Sequence, residues 1–236
     1  MKITWAFFGI FGLIALTALA VDQGNGPIGS TPEPSARGDA GLQVLAQILR
    51  EALPEEFAFD RGTWELEGGA GEFCSFSTSS AKRPTVNYQL EDIRFGWMYD
   101  SPRHDEWLGG RLRGNSEFLL ELAAGPVTKG PGSYLAGGSL LWRYNFVQPA
   151  ARWVPYLQLG PGALDNDIFT GRRQMEVGEA FEFELQGDIG LRYMIDDQWS
   201  ISAEAGYRHI SNANLSPRNE GLNSLGGLMQ VSYRFR

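Results

Sequence analysis

Between Phe181 and Ile195, apolar and polar residues alternate one for one. Phe181, Phe183, Leu185, Ile189, Leu191, Tyr193 and Ile195 share one parity with Gly187, while Glu182, Glu184, Gln186, Asp188 and Arg192 occupy the other. A β-strand turns successive side chains to opposite faces. A period of two therefore predicts a strand with one apolar face and one face carrying charge of both signs. The stretch 135–147 repeats the pattern, with Ala136, Gly138, Leu140, Trp142, Tyr144 and Phe146 opposed to Ser139, Arg143 and Asn145. Eight such segments are expected, near 62–70, 84–99, 113–127, 133–147, 153–164, 179–195, 199–211 and 224–235. In the second of them Tyr88 and Leu90 sit in one parity and Phe95, Trp97 and Tyr99 in the other, so a β-bulge is predicted at Glu91-Asp92.

Several segments are long enough to cross a bilayer as tilted strands, which takes about 9–11 residues. An even strand count, aromatic-rich apolar faces and charged opposite faces predict an all-β fold: an eight-stranded antiparallel transmembrane β-barrel. At eight strands the interior is filled by side chains rather than water. Glu182, Glu184, Asp188, Arg192, Arg143, Glu204 and Arg208 are expected to pair inside it. The chain closes on Tyr233-Arg234-Phe235-Arg236, a terminal strand with its aromatic one place from the end. A soluble sheet could also alternate in this way. Extraction without detergent would mark that alternative.

The first residues read differently. Met1-Lys2 precede an uncharged stretch rich in Phe, Ile, Leu and Ala that ends in Ala18-Leu19-Ala20. This reads as a signal peptide over 1–20, the rival reading being a retained membrane anchor. Residues 21–60 are expected to be a linker and a short amphipathic helix. Leu42, Leu45, Ile48, Leu49 and Leu53 place that helix at 40–53, with Pro54 as its stop. The barrel is expected over 61–236. One cysteine, Cys74, allows no intrachain disulfide, and with no base or motif beside it reads as a small packed residue. Two histidines, His104 and His209, with no Cys/His cluster, argue against a zinc site, and no metal or cofactor is expected. A formal net charge of −8 argues against nucleic acid as a partner.

The seventh segment carries the chemistry. Trp199, Ile201, Ala203, Ala205 and Tyr207 share a parity that His209 and Ser211 continue, whereas Ser200, Ser202, Glu204 and Arg208 take the other. His209 and Ser211 thus point the same way, out of the barrel toward lipid. Polar ionisable groups on such a face are costly and usually functional. The plainer alternative is a rim position, where an amphipathic ring is tolerated. In the last segment Asn223 precedes the apolar parity of Leu225, Met229, Val231, Tyr233 and Phe235. In an antiparallel hairpin the end of segment seven adjoins the start of segment eight. Asn223 can therefore approach His209 on the outer surface, bringing together a nucleophile, a base and an orienting group.

The run His209-Ile210-Ser211-Asn212-Ala213-Asn214, followed by Asn219-Glu220-Gly221-Leu222-Asn223, resembles the lipid A 3-O-deacylase (PagL) family. That family shows His-x-Ser-Asn-Ala and then Asn-x-Gly-x-acid before its last strand. The resemblance is strong over 206–235 and elsewhere extends only to the barrel pattern. It implies an outer-membrane hydrolase acting on the 3-position acyl ester of lipid A in lipopolysaccharide. By position it implies His209 as general base, Ser211 as nucleophile, and Asn212 and Asn214 at the oxyanion. Asn214 stands where the family often has Gly. The family's acid, a Glu, aligns with the neutral Asn223, and Glu220 in the preceding loop is the alternative third residue. Lipid A is itself anionic, so local Arg and Lys residues are needed to meet its phosphates. A homodimer is left open.

Two other functions compete with this one: a non-enzymatic barrel for adhesion or structure, and another outer-membrane lipid esterase using the same pair. The first predicts long extracellular loops, and those near 100–112 and 212–223 are moderate. It does not require His209, Ser211 and Asn223 on one outer face.

Overall fold

The computed structural model describes residues 56–77, 85–104, 106–171 and 173–236. The expected signal peptide and the 40–53 helix lie outside the described residues. Eight antiparallel strands close into a barrel in sequence order: β1 Trp64–Phe76, β2 Asn87–Met98, β3 Asn115–Lys129, β4 Tyr134–Asn145, β5 Trp153–Asn166, β6 Phe181–Met194, β7 Trp199–Ser211 and β8 Leu222–Phe235. Each runs 12 to 15 residues, enough to span the hydrocarbon at a tilt. β8 pairs back onto β1 from Trp64↔Phe235 to Phe76↔Asn223. That closure leaves no edge strand with unpaired backbone groups.

The outer wall is the apolar parity. Leu122, Leu140, Leu159, Leu185, Ile189 and Met229 are all exposed on it. Toward the end where β1 starts and β8 finishes, aromatic rings crowd this wall. Trp64 stacks on Phe95 at 4.9 Å, Trp153 meets Tyr193 at 4.8 Å and Trp199 meets Tyr233 at 4.8 Å. Such a girdle suits a membrane–water interface.

The inner parity fills the lumen with charge. Arg94, Arg143, Arg192, Arg208 and Arg234 are all buried there. Glu67 is the hub. Its carboxylate accepts from Arg94 at 2.9 Å, Arg143 at 2.7 Å, Arg192 at 3.2 Å and the Ser232 hydroxyl at 3.0 Å. Arg94 also reaches Glu204 and Glu121, each at 2.7 Å, and Arg208 reaches Glu184 at 2.9 Å. All seven charged residues expected in the lumen are buried. Space for the larger side chains comes from opposing glycines. A Cβ at Gly190 would lie 2.1 Å from the Tyr156 ring, a contact no side chain can make.

Three expectations change. No bulge occurs at Glu91-Asp92, because β2 alternates without interruption: Tyr88, Leu90, Asp92, Arg94 and Met98 all face inward. Its register irregularity against β3 lies instead at Asn87/Tyr88. The parity seemed to break because the lumen changes character along its length. Its half near the β7–β8 loop holds an apolar cluster of Phe73, Tyr88, Leu90, Leu135, Leu164, Ile210, Leu222 and Leu228, capped by Ile168 and Val177 of the β5–β6 loop, beside the buried Glu182 and the Glu184–Arg208 pair. Next, the 100–112 loop joins β2 to β3 and so lies at the terminal end of the barrel, opposite the 212–221 loop. His104 stacks there on Trp107, far from His209. Finally, the packed unit begins before residue 61. A 3-10 turn over Glu56–Phe59 places Ala58 and Phe59 against Met98, Val147, Val154 and Met194, plugging the terminal mouth beneath the Arg234 guanidinium.

Removing one member of a buried ionic cluster strands the charges that remain. Glu67→Ala is therefore expected to lower barrel stability by about 3–5 kcal/mol. Ser232→Ala, which removes a single hydroxyl donor, is expected to cost about 1 kcal/mol. Urea titration of the detergent-folded barrel, read by its heat-modifiable gel migration, measures both.

Candidate active site

The β7–β8 register brings the polar outward residues together. His209 lies directly opposite Asn223, and Tyr207 opposite Leu225, which makes Asn223 the diagonal neighbour of Tyr207. Directly opposed side chains lie about 4.5–5.5 Å apart at Cβ, and long aromatic side chains reach the diagonal position as well. Both contacts form. His209 Nδ1 is 2.8 Å from Asn223 Oδ1, and the Tyr207 hydroxyl donates to the same oxygen at 2.6 Å. With the amide oxygen facing the ring, Nδ1 carries the proton, and Nε2 is left as the basic nitrogen.

Ser211 ends β7 on the same face, opposite Phe183 of β6. It is partly exposed, as is His209. No hydrogen bond joins the Ser211 hydroxyl to His209 among the described residues. Residues two apart on a strand are separated by about 6.6 Å at Cα, so a direct hydrogen bond between the two would require the ring to swing toward the hydroxyl.

The loop after β7 is built by its own polar groups. The Asn212 N–H donates to Asn219 Oδ1 at 2.8 Å, and its Nδ2 donates to the Arg218 carbonyl at 3.0 Å. Asn219 Nδ2 in turn donates to Asn214 Oδ1 at 3.0 Å. Asn212 is thus buried as a strut, with its backbone N–H and its side-chain amide both engaged. Ala213 and Asn214 both adopt positive φ, at 52° and 67°. This turn follows the serine directly, and the N–H groups of Ala213 and Asn214 have no protein partner among the described residues.

Gly221 sits against the imidazole. Its φ is +76°, and a Cβ there would lie 2.7 Å from His209 Cε1, so both the backbone and the ring require glycine. The β5–β6 loop holds it in place. Gly221 N–H donates to the Glu176 carbonyl at 3.1 Å, and Glu220 N–H to the Met175 carbonyl at 3.0 Å. Arg218 adds long contacts to the carbonyls of Gly171 and Gly178, each at 3.4 Å. Of the two third residues considered, Asn223 is the one hydrogen-bonded to the ring. Tyr207 and the 175–176 segment were not identified as site residues from the sequence. Tyr207 shares the parity of His209, which was a usable signal. Met175 and Glu176 carried none, because they act through backbone carbonyls.

The family model described as lipid A 3-O-deacylase (PagL) matches residues 75–232, a span that includes β7, β8 and the loop between them. Among solved structures the chain is similar to the outer membrane enzyme PagL, at 17% identity over 69% of this chain and 97% of that chain, with a TM-score of 0.46. It is similar to Neisserial surface protein A at 15% identity over 74% and 98%, with a TM-score of 0.48. It is also similar to the N-terminal β-barrel domain of Pseudomonas aeruginosa OprF, at 16% identity over 74% and 98%, with a TM-score of 0.45. No curated protein matches the chain. The structural likenesses are too distant to bear on chemistry, and the assignment rests on the family match: the chain belongs to the lipid A 3-O-deacylase (PagL) family and is a lipid A deacylase of the outer membrane.

Proposed function

We propose that the bond cleaved is the ester linking the acyl chain at the 3-position of lipid A, with Ser211 as nucleophile and His209 as its general base. The observation that carries this reading is the His209–Asn223 hydrogen bond on the lipid-facing wall, with Ser211 two residues along the same face. Packing gives no reason to place such a group there, whereas an enzyme acting on a membrane lipid needs its reacting atoms on that face.

In the proposed sequence His209 Nε2 takes the Ser211 hydroxyl proton as Oγ attacks the ester carbonyl. The tetrahedral oxyanion is held at the Asn212–Asn214 turn. The unpartnered N–H groups of Ala213 and Asn214 are the donors at hand, and Asn212 contributes by fixing the turn. Its own Nδ2 is buried and already donates to the Arg218 carbonyl. The carbon–oxygen bond to the sugar then breaks, and the imidazolium returns its proton to the departing alkoxide. Water repeats the cycle on the acyl-Ser211 ester, releasing the fatty acid. No metal takes part in this route. With both termini of the barrel on the periplasmic side, the end of β7 lies at the outer leaflet, where lipid A resides.

Mass spectrometry of lipid A from cells expressing each variant tests the pair. Ser211→Ala and His209→Ala are each expected to reduce acyl removal by about a thousand-fold or more while the barrel still folds. A Ser211→Ala protein that still deacylates would sink the mechanism. Loss of a phospholipid chain in place of the lipid A chain would move the substrate to the other lipid-esterase reading.

The third residue is tested in purified protein. Asn223→Ala, which releases the ring from its partner, is expected to lower kcat by about ten- to a hundred-fold. Asn223→Glu, which restores the carboxylate the family carries, is expected to raise kcat above the wild-type value. Glu220→Ala is expected to leave kcat within about two-fold of wild type, since Asn223 already holds the ring. A dead Glu220→Ala beside a silent Asn223→Ala would reverse the assignment.

A further inference from the structure

The side-chain amide at position 223 creates a problem that a carboxylate does not. Both oxygens of a carboxylate accept hydrogen bonds, so either can hold Nδ1–H of an imidazole. An Asn amide has one accepting end and one donating end. With Oδ1 toward the ring, the proton is on Nδ1 and Nε2 is free to act as base. With Nδ2 toward the ring, Nδ1 becomes the acceptor and the proton moves to Nε2, leaving a ring that cannot take a proton from Ser211. The energy difference between these two states decides what fraction of molecules is competent, and nothing in His209 itself sets it.

We propose that Tyr207 is a positioning residue whose hydroxyl selects the productive end of the Asn223 amide, and through it the tautomer of His209. This inference rests on the Ser211–His209 reading above. The Tyr207 hydroxyl donates to Asn223 Oδ1 at 2.6 Å, so that one oxygen receives both the phenol proton and Nδ1–H. A carbonyl oxygen has two lone pairs and can accept both. In the flipped amide the phenol oxygen could still accept from Nδ2, but its own proton would then need another acceptor. The residues directly beside Tyr207 offer none. Gly187 lies opposite it on β6, Leu225 opposite it on β8, and the Phe76 ring packs at 6.3 Å. On a wall facing lipid, a hydroxyl proton left without a protein acceptor forfeits a hydrogen bond. Tyr207 thus makes the wrong amide orientation the expensive one. The neutral Asn223 and the phenol together do what a carboxylate does alone.

The test is a double-substitution cycle on the full protein in detergent, using lipid A as substrate, together with nitrogen-15 NMR of the imidazoles. Tyr207→Phe is expected to lower kcat by roughly ten-fold with KM unchanged, because a fraction of molecules loses its base while substrate contacts remain. In the Asn223→Asp background, where no end of the side chain can face the wrong way, the same Tyr207→Phe change is expected to cost less than about two-fold. The chain has two histidines, so His104→Gln assigns the spectrum. At a pH where the ring is neutral, His209 is expected to show the Nδ1–H tautomer in wild type and a shift toward Nε2–H in Tyr207→Phe. An unchanged tautomer, or a kcat loss that persists in full in the Asn223→Asp background, overturns the proposal and leaves the Ser211–His209 reading intact. An active Ser211→Ala protein overturns that reading instead.

Discussion

Inside a bilayer there is no water to satisfy a free N–H or C=O, and the rest of this structure follows from that. Eight strands meet the constraint by closing, β8 onto β1, so that every ladder is shared. Closure then gives the two side-chain parities separate solvents. One parity faces hydrocarbon and is apolar. The other faces a lumen too narrow for bulk water and must pair its own charges. Glu67, bonded to three guanidinium groups and a hydroxyl, is where that pairing converges. The ionic core occupies the middle of the lumen, between the apolar cluster capped by the β5–β6 loop and the apolar plug at the terminal mouth. Both ends of the lumen are thus closed by apolar packing, and its middle is held by charge.

Placing the reacting groups on the outer wall changes what they need. In the proposed reaction the substrate arrives laterally, with its acyl chains already in the medium that bathes β7 and β8. It need not enter a cavity, so the site lies open on the wall. Polar atoms beside the ring gain from a partner on the protein. His209, Asn223 and Tyr207 form one chain of hydrogen bonds for that reason, and Gly221 lets the backbone close against the ring. The loops add rigidity. Backbone pairing between 175–176 and 220–221 ties the strand that carries Asn223 to the cap over the lumen. Movement of the cap would therefore be felt at the imidazole.

Much of this was legible in the alternation. A period of two reports directly which face a residue takes, and so the outward direction of His209, Ser211 and Asn223, and the inward direction of Arg143, Glu184, Arg192 and Arg208, could be read in advance. Where side-chain polarity stopped tracking direction, the reading failed. Tyr88 and Leu90 are apolar yet point inward, because the lumen is apolar at their level, and they mimicked a bulge. β1 was drawn too short because Gly68, Gly69 and Gly71 have no side chain to show parity. Phe59 looked like linker because its partners, Met98, Val147, Val154 and Met194, are distant in sequence.

The sequence by itself determined the strand count, the antiparallel order, the two faces and the outward His-x-Ser pair. All of these are local consequences of pleat geometry and turn spacing. Only the tertiary structure decided which partner the imidazole takes, which atom of that partner faces it, and that Tyr207 shares the same oxygen. Those facts depend on the register between two strands and on closure of the barrel, which bring residues together across hydrogen-bonded neighbours. It also decided that Asn212 is a strut within its loop, because the partners of its donors come from residues 218 and 219 folding back on it. The His209–Ser211 pair is a matter of parity, and its chemistry is a matter of register.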